Sequence, residues 1–324
     1  MKNKKKTVII IVSIVLVLGI VAGALAIYFT GSVNDKNDTE EFYRQNVASV
    51  NYENTVETAY PQTDLYGIIE NHFKSALPEG KTEKKVAVIG YDGCRADILA
   101  EKKENGAVSY LLANGASNNL TYCGGVNYPE KNTQDTSTAP GWCSILTGVW
   151  ADVHGITGNG ITKKVEPKTL VTSLVEDGTI DSSVFITKWN GHFTKNNSTY
   201  LDEKAYCEEN GINAEFMLRD GLKDVHTGAM EEIGKADCSD FVFIIYEDTD
   251  SAGHDTGFSF NNTLYKEGFA TEDAYGYEVI KAIEARETYA TEDWLIIVTS
   301  DHGGIKKGHG NESIQERMTF AAIL

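Results

Sequence analysis

Lys85-Val-Ala-Val-Ile-Gly-Tyr91, followed at once by Asp92-Gly93, is the stretch on which the fold turns. It is a short, unbroken apolar run that ends in an acid, the pattern of a strand buried on both faces in a parallel sheet. The same pattern recurs at Asp240-Phe-Val-Phe-Ile-Ile-Tyr246 and at Trp294-Leu-Ile-Ile-Val-Thr299. Helical spacing occupies intervals around them. Asp64 to Leu77 places Leu65, Ile68, Ile69 and Phe73 on one face before a Pro78-Glu79-Gly80 stop. Further helices are predicted over Pro140 to Thr147, Lys168 to Glu176, Ala214 to Ile233 and Asp273 to Glu287. Strands alternating with helices predict an α/β fold, a three-layer α/β/α sandwich with a mostly parallel central sheet. Residues 155–238 carry weaker strand signals and are expected to include a substrate-shaping insertion.

Upstream of this body the chain changes character. Lys2, Lys4, Lys5 and Lys6 form a basic tail over residues 1–7, and an uncharged apolar run follows over 8–28. That run is long enough to cross a bilayer, and the preceding lysines predict a cytoplasmic N-terminus with the remainder outside. The expected arrangement is a transmembrane signal-anchor at the cell membrane with an extracytoplasmic catalytic domain. Ala22, Gly23, Ala24 and Ala26 offer the alternative of a cleaved signal peptide, which would leave the domain secreted. Residues 29–62 are polar and weakly periodic, as in a spacer from the membrane, so folding is expected to begin near residue 63 and run to 324.

Charge and cysteine usage exclude several classes. The 324 residues carry a formal net charge of −18, which becomes −22 without residues 1–30 and their four lysines. No basic nucleic-acid-binding surface is expected from such a chain. The five cysteines, Cys94, Cys123, Cys143, Cys207 and Cys238, are odd in number and lack C-x-x-C spacing, so neither a zinc knuckle nor a disulfide framework is indicated.

Each strong strand ends in a loop of acids and histidines: Tyr91-Asp92-Gly93, Glu247-Asp248-Thr249-Asp250-Ser-Ala-Gly253-His254, and Ser300-Asp301-His302-Gly303-Gly304. Open α/β sheets place their sites at the carboxyl ends of strands. A single Asp after a strand is more often a turn or cap residue. Three such loops together bring Asp92, Asp250, His254, Asp301 and His302, with His309 beyond in Lys307-Gly308-His309-Gly310. Mixed carboxylate and imidazole sets are what zinc binds.

A further element, Ser137-Thr138-Ala139-Pro140-Gly141-Trp142, leads through a helical pattern to Leu146-Thr147-Gly148 and on to His154-Gly155-Ile156. Thr138 has a structural reading as the N-cap of that helix, with Pro140 inside its first turn. The ordered set Tyr-Asp-Gly, Thr-x-Pro, Leu-Thr-Gly with His-Gly-Ile, Asp-x-x-x-His, Asp-His-Gly and Gly-His-Gly resembles the alkaline phosphatase superfamily. Within it, the set resembles the type I phosphodiesterase/nucleotide pyrophosphatase branch, over about residues 85–320.

The resemblance implies an alkaline phosphatase-like fold and two divalent metal ions, most simply Zn2+. One is held by Asp250, His254 and His309, the other by Asp92, Asp301, His302 and Thr138. It implies attack by Thr138 on a phosphate ester or nucleotide-like substrate through a phosphothreonine, with no organic cofactor. His154 is expected to be structural, and Cys143 a buried helix residue rather than a catalytic one. The pattern departs from the family at Gly141, where members commonly carry an asparagine, and the backbone amides of Ala139 or Gly141 are the expected substitutes. Asn159, Trp189, Asn190 and His192 are candidates to line the substrate pocket. Only six residues separate His302 from His309, and the chain stops at Leu324, as in a compact or truncated member. Diesterase, monoesterase and phosphonate hydrolase chemistries stay open, as does a non-catalytic metal-containing binding module. The oligomeric state is not indicated. The sulfatase signature Cys-x-Pro-x-Arg is replaced by Thr-Ala-Pro-Gly-Trp, which argues against that class.

Overall fold

A computed structural model describes residues 36–125, 134–160, 164–193 and 198–324. In chain order the elements are α1 (Glu40–Ala48), β1 (Tyr60–Pro61), α2 (Asp64–Lys74), β2 (Glu83–Tyr91), α3 (Ala107–Ala113), β3 (Ser117–Tyr122), α4 (Thr138–Thr147) and α5 (Ala151–His154). They continue as α6 (Leu170–Glu176), β4 (Ser183–Thr187), α7 (Leu201–Asn210), β5 (Ala214–Leu218), α8 (Leu222–Gly234), β6 (Phe241–Tyr246) and α9 (Asp248–Thr256). The last are α10 (Thr263–Glu284), β7 (Glu292–Thr299), α11 (Ile314–Arg317) and β8 (Met318–Ile323).

The strands form one sheet in the order β1-β3-β8-β7-β2-β6-β4-β5. β7, β2, β6, β4 and β5 run parallel, whereas β8 is antiparallel to both β7 and β3. Alternating residues of the apolar runs go to opposite faces, as the two-residue period of a strand requires. Ala87, Ile89, Val242, Ile244 and Val298 pack with Val108 of α3, Val225 of α8 and Phe269 and Ile280 of α10. Val86, Val88, Phe241, Phe243 and Ile297 pack with Leu65 and Ile69 of α2, Trp142 of α4 and Leu170 of α6. Helices therefore cover both faces, which is why these strands read as unbroken apolar runs.

Register aligns the strand ends. Tyr91 pairs with Tyr246, and Gly90 with Thr299. Asp92, Glu247 and Ser300 therefore leave the same, carboxyl-terminal end of the sheet within one residue of a common level.

The expected spacer over 29–62 is corrected in its described part. Residues 40–48 form α1, capped by Thr39 accepting from Phe42 N, with Tyr43 and Val47 buried. Asp38 meets the fully buried Arg95 with both oxygens, at 2.7 and 2.9 Å, and Arg95 also lies over the Tyr43 ring. Segment 36–62 is thus folded onto the body. Its polarity misleads because Asp38 answers a buried guanidinium 57 residues onward in the chain, while Glu40 and Glu57 pair with Arg44 within the segment.

Two further expectations change. The helix expected over 214–233 is β5 followed by α8, broken at Asp220-Gly221. The helix expected from Asp273 starts at Thr263, where the Asn262 side chain caps it by accepting from Leu264 N at 3.1 Å. Residues 155–238 supply β4 and β5 of the sheet itself. The apolar run 8–28 lies outside the described residues, among which no helix is long and apolar enough to cross a membrane. All five cysteines are free and buried.

Candidate active site

The loops after β2, β6 and β7 and the N-terminus of α4 converge on one cavity of about 360 Å³. Asp250 and His254 are four residues apart on α9, so they share a face, with His254 Nε2 3.4 Å from Asp250 Oδ2. His309 completes this group, its Nε2 3.6 Å from Asp250 Oδ1 and 3.0 Å from His254 Nε2. Beside it, His302 Nε2 lies 3.5 Å from both Asp92 Oδ1 and Asp301 Oδ2. Each group of three expected from the sequence is therefore assembled, and His302 also stands close enough to Asp250 and His309 to sit between the groups.

Ser137, rather than Thr138, is the N-cap of α4, with extended backbone at φ −147°. Thr138 is the first helical residue. Its hydroxyl donates to Asp92 Oδ1 at 3.3 Å and lies 3.5 Å from His302 Nε2. The other oxygen of Asp92 accepts from Trp142 Nε1 at 2.9 Å.

The ring tautomers bear on what the site can hold. Nδ1 of His254, His309 and His302 each lies on a backbone carbonyl, of Lys307 at 3.1 Å, Thr136 at 2.9 Å and Gly303 at 2.7 Å. His254 and His309 therefore donate from Nδ1 and turn an Nε2 lone pair inward, while His302 Nε2 faces the Asp92 and Asp301 carboxylates. The His254 and His309 lone pairs face each other, and Asp250 Oδ1 and Asp301 Oδ2 are buried without a hydrogen-bond partner. Converging lone pairs and orphaned carboxylate oxygens fit divalent cations by donor type and burial.

The same crowding appears in the protonation equilibria. Burial, with repulsion from Asp92, pushes the Asp250 carboxyl up to about 6. Burial and the neighbouring His302 push His309 down to about 3. His302 is itself pushed up to about 10, because Asp301 and Asp92 outweigh its burial.

Among the expected pocket residues, Asn159, Trp189 and Asn190 line the cavity. His192 does not; it is fully buried behind Trp189, at a centroid distance of 4.9 Å. Gly141 is corrected as a substrate contact. It is buried against Asp301, and a Cβ there would come within 2.9 Å of the Asp301 carbonyl oxygen. The amides expected to replace an asparagine are already used, Ala139 N donating to Asn159 Oδ1 at 2.8 Å and Gly141 N to Ser137 O at 2.9 Å. His154 is structural, bonded to Ser144 Oγ and Ile156 N at 3.1 Å each, and Cys143 is buried within α4.

Sequence reasoning missed Lys188, Asp220, Glu247 and Ser251, which also line the cavity. Burial and the Asp92 charge push the Glu247 carboxyl up to about 8. Its position at the end of β6 was a usable signal. Lys188 and Asp220 follow β4 and β5, whose strand character was not evident.

The model of the type I phosphodiesterase/nucleotide pyrophosphatase family matches residues 86–311. No curated protein matches the chain. Similar solved structures include murine ectonucleotide pyrophosphatase/phosphodiesterase 5, an inactive form in complex with AMP, at 19% identity and TM-score 0.47 over 68% of this chain and 57% of that one. The human protein of that name is similar at 16% identity and TM-score 0.47, over the same shares of the two chains. The chain thus spans somewhat over half the length of the solved structures it matches.

Proposed function

The chain belongs to the type I phosphodiesterase/nucleotide pyrophosphatase family, and from that premise we propose that it is a metal-dependent hydrolase of phosphodiester or pyrophosphate bonds with Thr138 as nucleophile. The observation that carries this reading is the Thr138 hydroxyl at the N-terminus of α4, bonded to Asp92 and close to His302 on the wall of the cavity.

Asp250, His254 and His309 would hold one divalent cation, and Asp92, Asp301 and His302, with Thr138, a second. Carboxylate and imidazole donors favour zinc. Such cations would neutralise charge on the phosphoryl oxygens and lower the pKa of the attacking hydroxyl.

In the proposed reaction Thr138 Oγ1 loses its proton and bonds to phosphorus, while the opposite ester oxygen leaves and takes up a proton. Water then cleaves the phosphothreonine, returning the hydroxyl and releasing the phosphate product. Asp92, held through its other oxygen by Trp142, aims the hydroxyl. Asn159 accepts from Ala139 N through Oδ1, so its side-chain NH2 is the donor it offers to a phosphoryl oxygen. The amides at the start of α4 add partial positive charge where the anion arrives. The apolar run 8–28 supports attachment of this body to the outer face of the cell membrane.

The test is hydrolysis of bis-p-nitrophenyl phosphate beside p-nitrophenyl phosphate, with zinc, with chelator, and with Thr138→Ala. Chelator-sensitive diester cleavage lost in the variant supports the proposal. A monoester preference shifts the reading to a phosphatase, and inactivity of the metal-loaded protein on both esters counts against hydrolysis.

A further inference from the structure

α9 carries Asp250 and His254, yet its own sequence gives it little to hold on by. Asp248-Thr-Asp-Ser-Ala-Gly-His-Asp-Thr256 contains no large apolar side chain, and its buried residues are Thr249, Gly253 and Thr256. Helices are ordinarily held by an apolar stripe and a local cap. The cap is missing too. Glu247 makes no side-chain cap bond at this N-terminus, because its carboxylate is turned to Trp189 N and Thr187 Oγ1.

The hold comes instead from α10. Glu272, fully buried on that helix, reaches the first turn of α9: its Oε1 accepts from Asp248 N at 2.5 Å and Thr249 N at 3.0 Å, and its Oε2 from Thr249 Oγ1. Gly268 lies one turn earlier on the same face of α10. A Cβ there would stand 3.2 Å from Thr249 Cα and 3.3 Å from Asp248 O, so the two helices meet backbone to backbone. α10 is itself fixed, by Phe269, Val279, Ile280 and Ile283 in the core and by Asp273, which accepts from the hydroxyl of Tyr91, the neighbour of Asp92.

From these contacts we infer that Glu272 is a positioning residue for the cation proposed at Asp250, His254 and His309, fixing the start of α9 so that its two ligands face the third. The inference rests on the metal-dependent reading of the site. Asp250 follows Thr249 directly, so a shift of the first turn changes the approach of its Oδ1 to His309 Nε2, which stands at 3.6 Å. His254, four residues on, moves with it. A cation tolerates little of this, since metal to donor distances are set to within about 0.2 Å. Without Glu272, the Thr249 amide would lie buried at a helix end with no acceptor. Burial pushes the Glu272 carboxyl up to about 8 against these hydrogen bonds, so a neutral acceptor of the same shape meets the same demand.

The test is titration of the metal-free full chain with Co2+, followed by visible absorption, with zinc competition giving the affinity of each binding step. The step lost in His254→Ala marks the cation in question. Glu272→Leu is expected to weaken that step about tenfold or more and to alter its absorption bands, leaving the other step within about twofold of the parent. Glu272→Gln, which keeps an acceptor for both amides, should restore the parent's affinity and spectrum. Thr249→Val removes only the hydroxyl bond and should fall between, and it carries the comparison with Glu272→Gln if Glu272→Leu does not fold. Parental affinities and spectra in both Glu272→Leu and Thr249→Val would overturn the inference while upholding the metal reading. Equal weakening of the two steps would overturn it as well, since that marks a residue serving the fold alone. A parent that takes up no Co2+ would overturn the metal reading itself and the inference with it.

Discussion

Trp142 Nε1 donates to Asp92 Oδ2 at 2.9 Å, across the end of β2, and so fixes which oxygen of Asp92 faces Thr138. The indole reaches this place only because residue 90 is glycine: a Cβ there would stand 2.3 Å from the Trp142 ring. A residue of the helix core thus orients a residue of the site. Replacing Trp142 with Phe keeps most of the packing and removes the donor. Metal affinity is expected to fall about 10–100-fold, as measured by competition with a chromophoric chelator. An unchanged affinity would show that Asp92 needs no such support.

Metal binding should also stabilise the fold, since it satisfies Asp250 Oδ1 and Asp301 Oδ2, which otherwise lie buried without partners. At a free zinc concentration of about 100 times Kd the linkage is worth about 2.7 kcal/mol. Differential scanning calorimetry with zinc and with chelator should show a higher Tm with zinc. Identical melting curves would mean that these residues hold no ion.

The N-terminal segment should contribute to stability through Asp38 and Arg95. Both are buried, at 4% and 0% side-chain exposure, and their contacts run at 2.7 and 2.9 Å. Asp38→Ala leaves the guanidinium with Asp97 and the Phe258 carbonyl only. A loss on the order of 3 kcal/mol in urea unfolding is expected. A loss below about 0.5 kcal/mol would place the segment outside the cooperative unit.

Two buried acids should give opposite slopes in the pH dependence of stability. Burial pushes the Asp273 carboxyl up to about 6, although it accepts from Val108 N and Tyr91 OH. The folded state then binds more protons than the unfolded state, so this group's contribution falls as pH rises from the model-peptide value of 3.8 to about 6. Asp273→Asn should flatten that decline in chemical denaturation at successive pH values. The same slope in the variant would remove Asp273 as its source.

Glu292 behaves in the opposite sense. Burial opposes its ionisation, but the Arg286 guanidinium and hydrogen bonds from Thr288 and Trp294 hold its carboxyl down at about 2. Its contribution is complete above the ordinary value of 4.5 and is lost as pH falls towards about 2. Glu292→Gln should lower stability at neutral pH and weaken the loss on acidification. A variant as acid-sensitive as the parent would rule the pair out.

The extent to which the chain could be read from its residues follows local signal strength. β2, β6 and β7 were legible because strands covered on both faces are apolar at every position, and the acids at their ends are conspicuous against such runs. β4 was less so, since Ser183-Val-Phe-Ile-Thr187 begins and ends in hydroxyl residues that find partners only in the folded chain, Val171 O and Glu247. α1 was lost to its own polarity, because Tyr43 and Val47 are too few to mark a buried face. Asn159 was named as a pocket residue, yet its bond to Ala139 N depends on a loop return that no spacing encodes.

The sequence by itself determined the class of fold, the carboxyl ends of the strands as the place of chemistry, and the donor types gathered there, because strand periodicity and residue chemistry are local properties. Tertiary structure alone decided which oxygen of Asp92 meets Thr138, that Gly141 is pressed against Asp301 and away from substrate, and that Trp189, Asp220 and Glu247 share one wall. Those outcomes depend on strand order and helix docking, where ångström-scale approaches between residues far apart in the chain select the geometry.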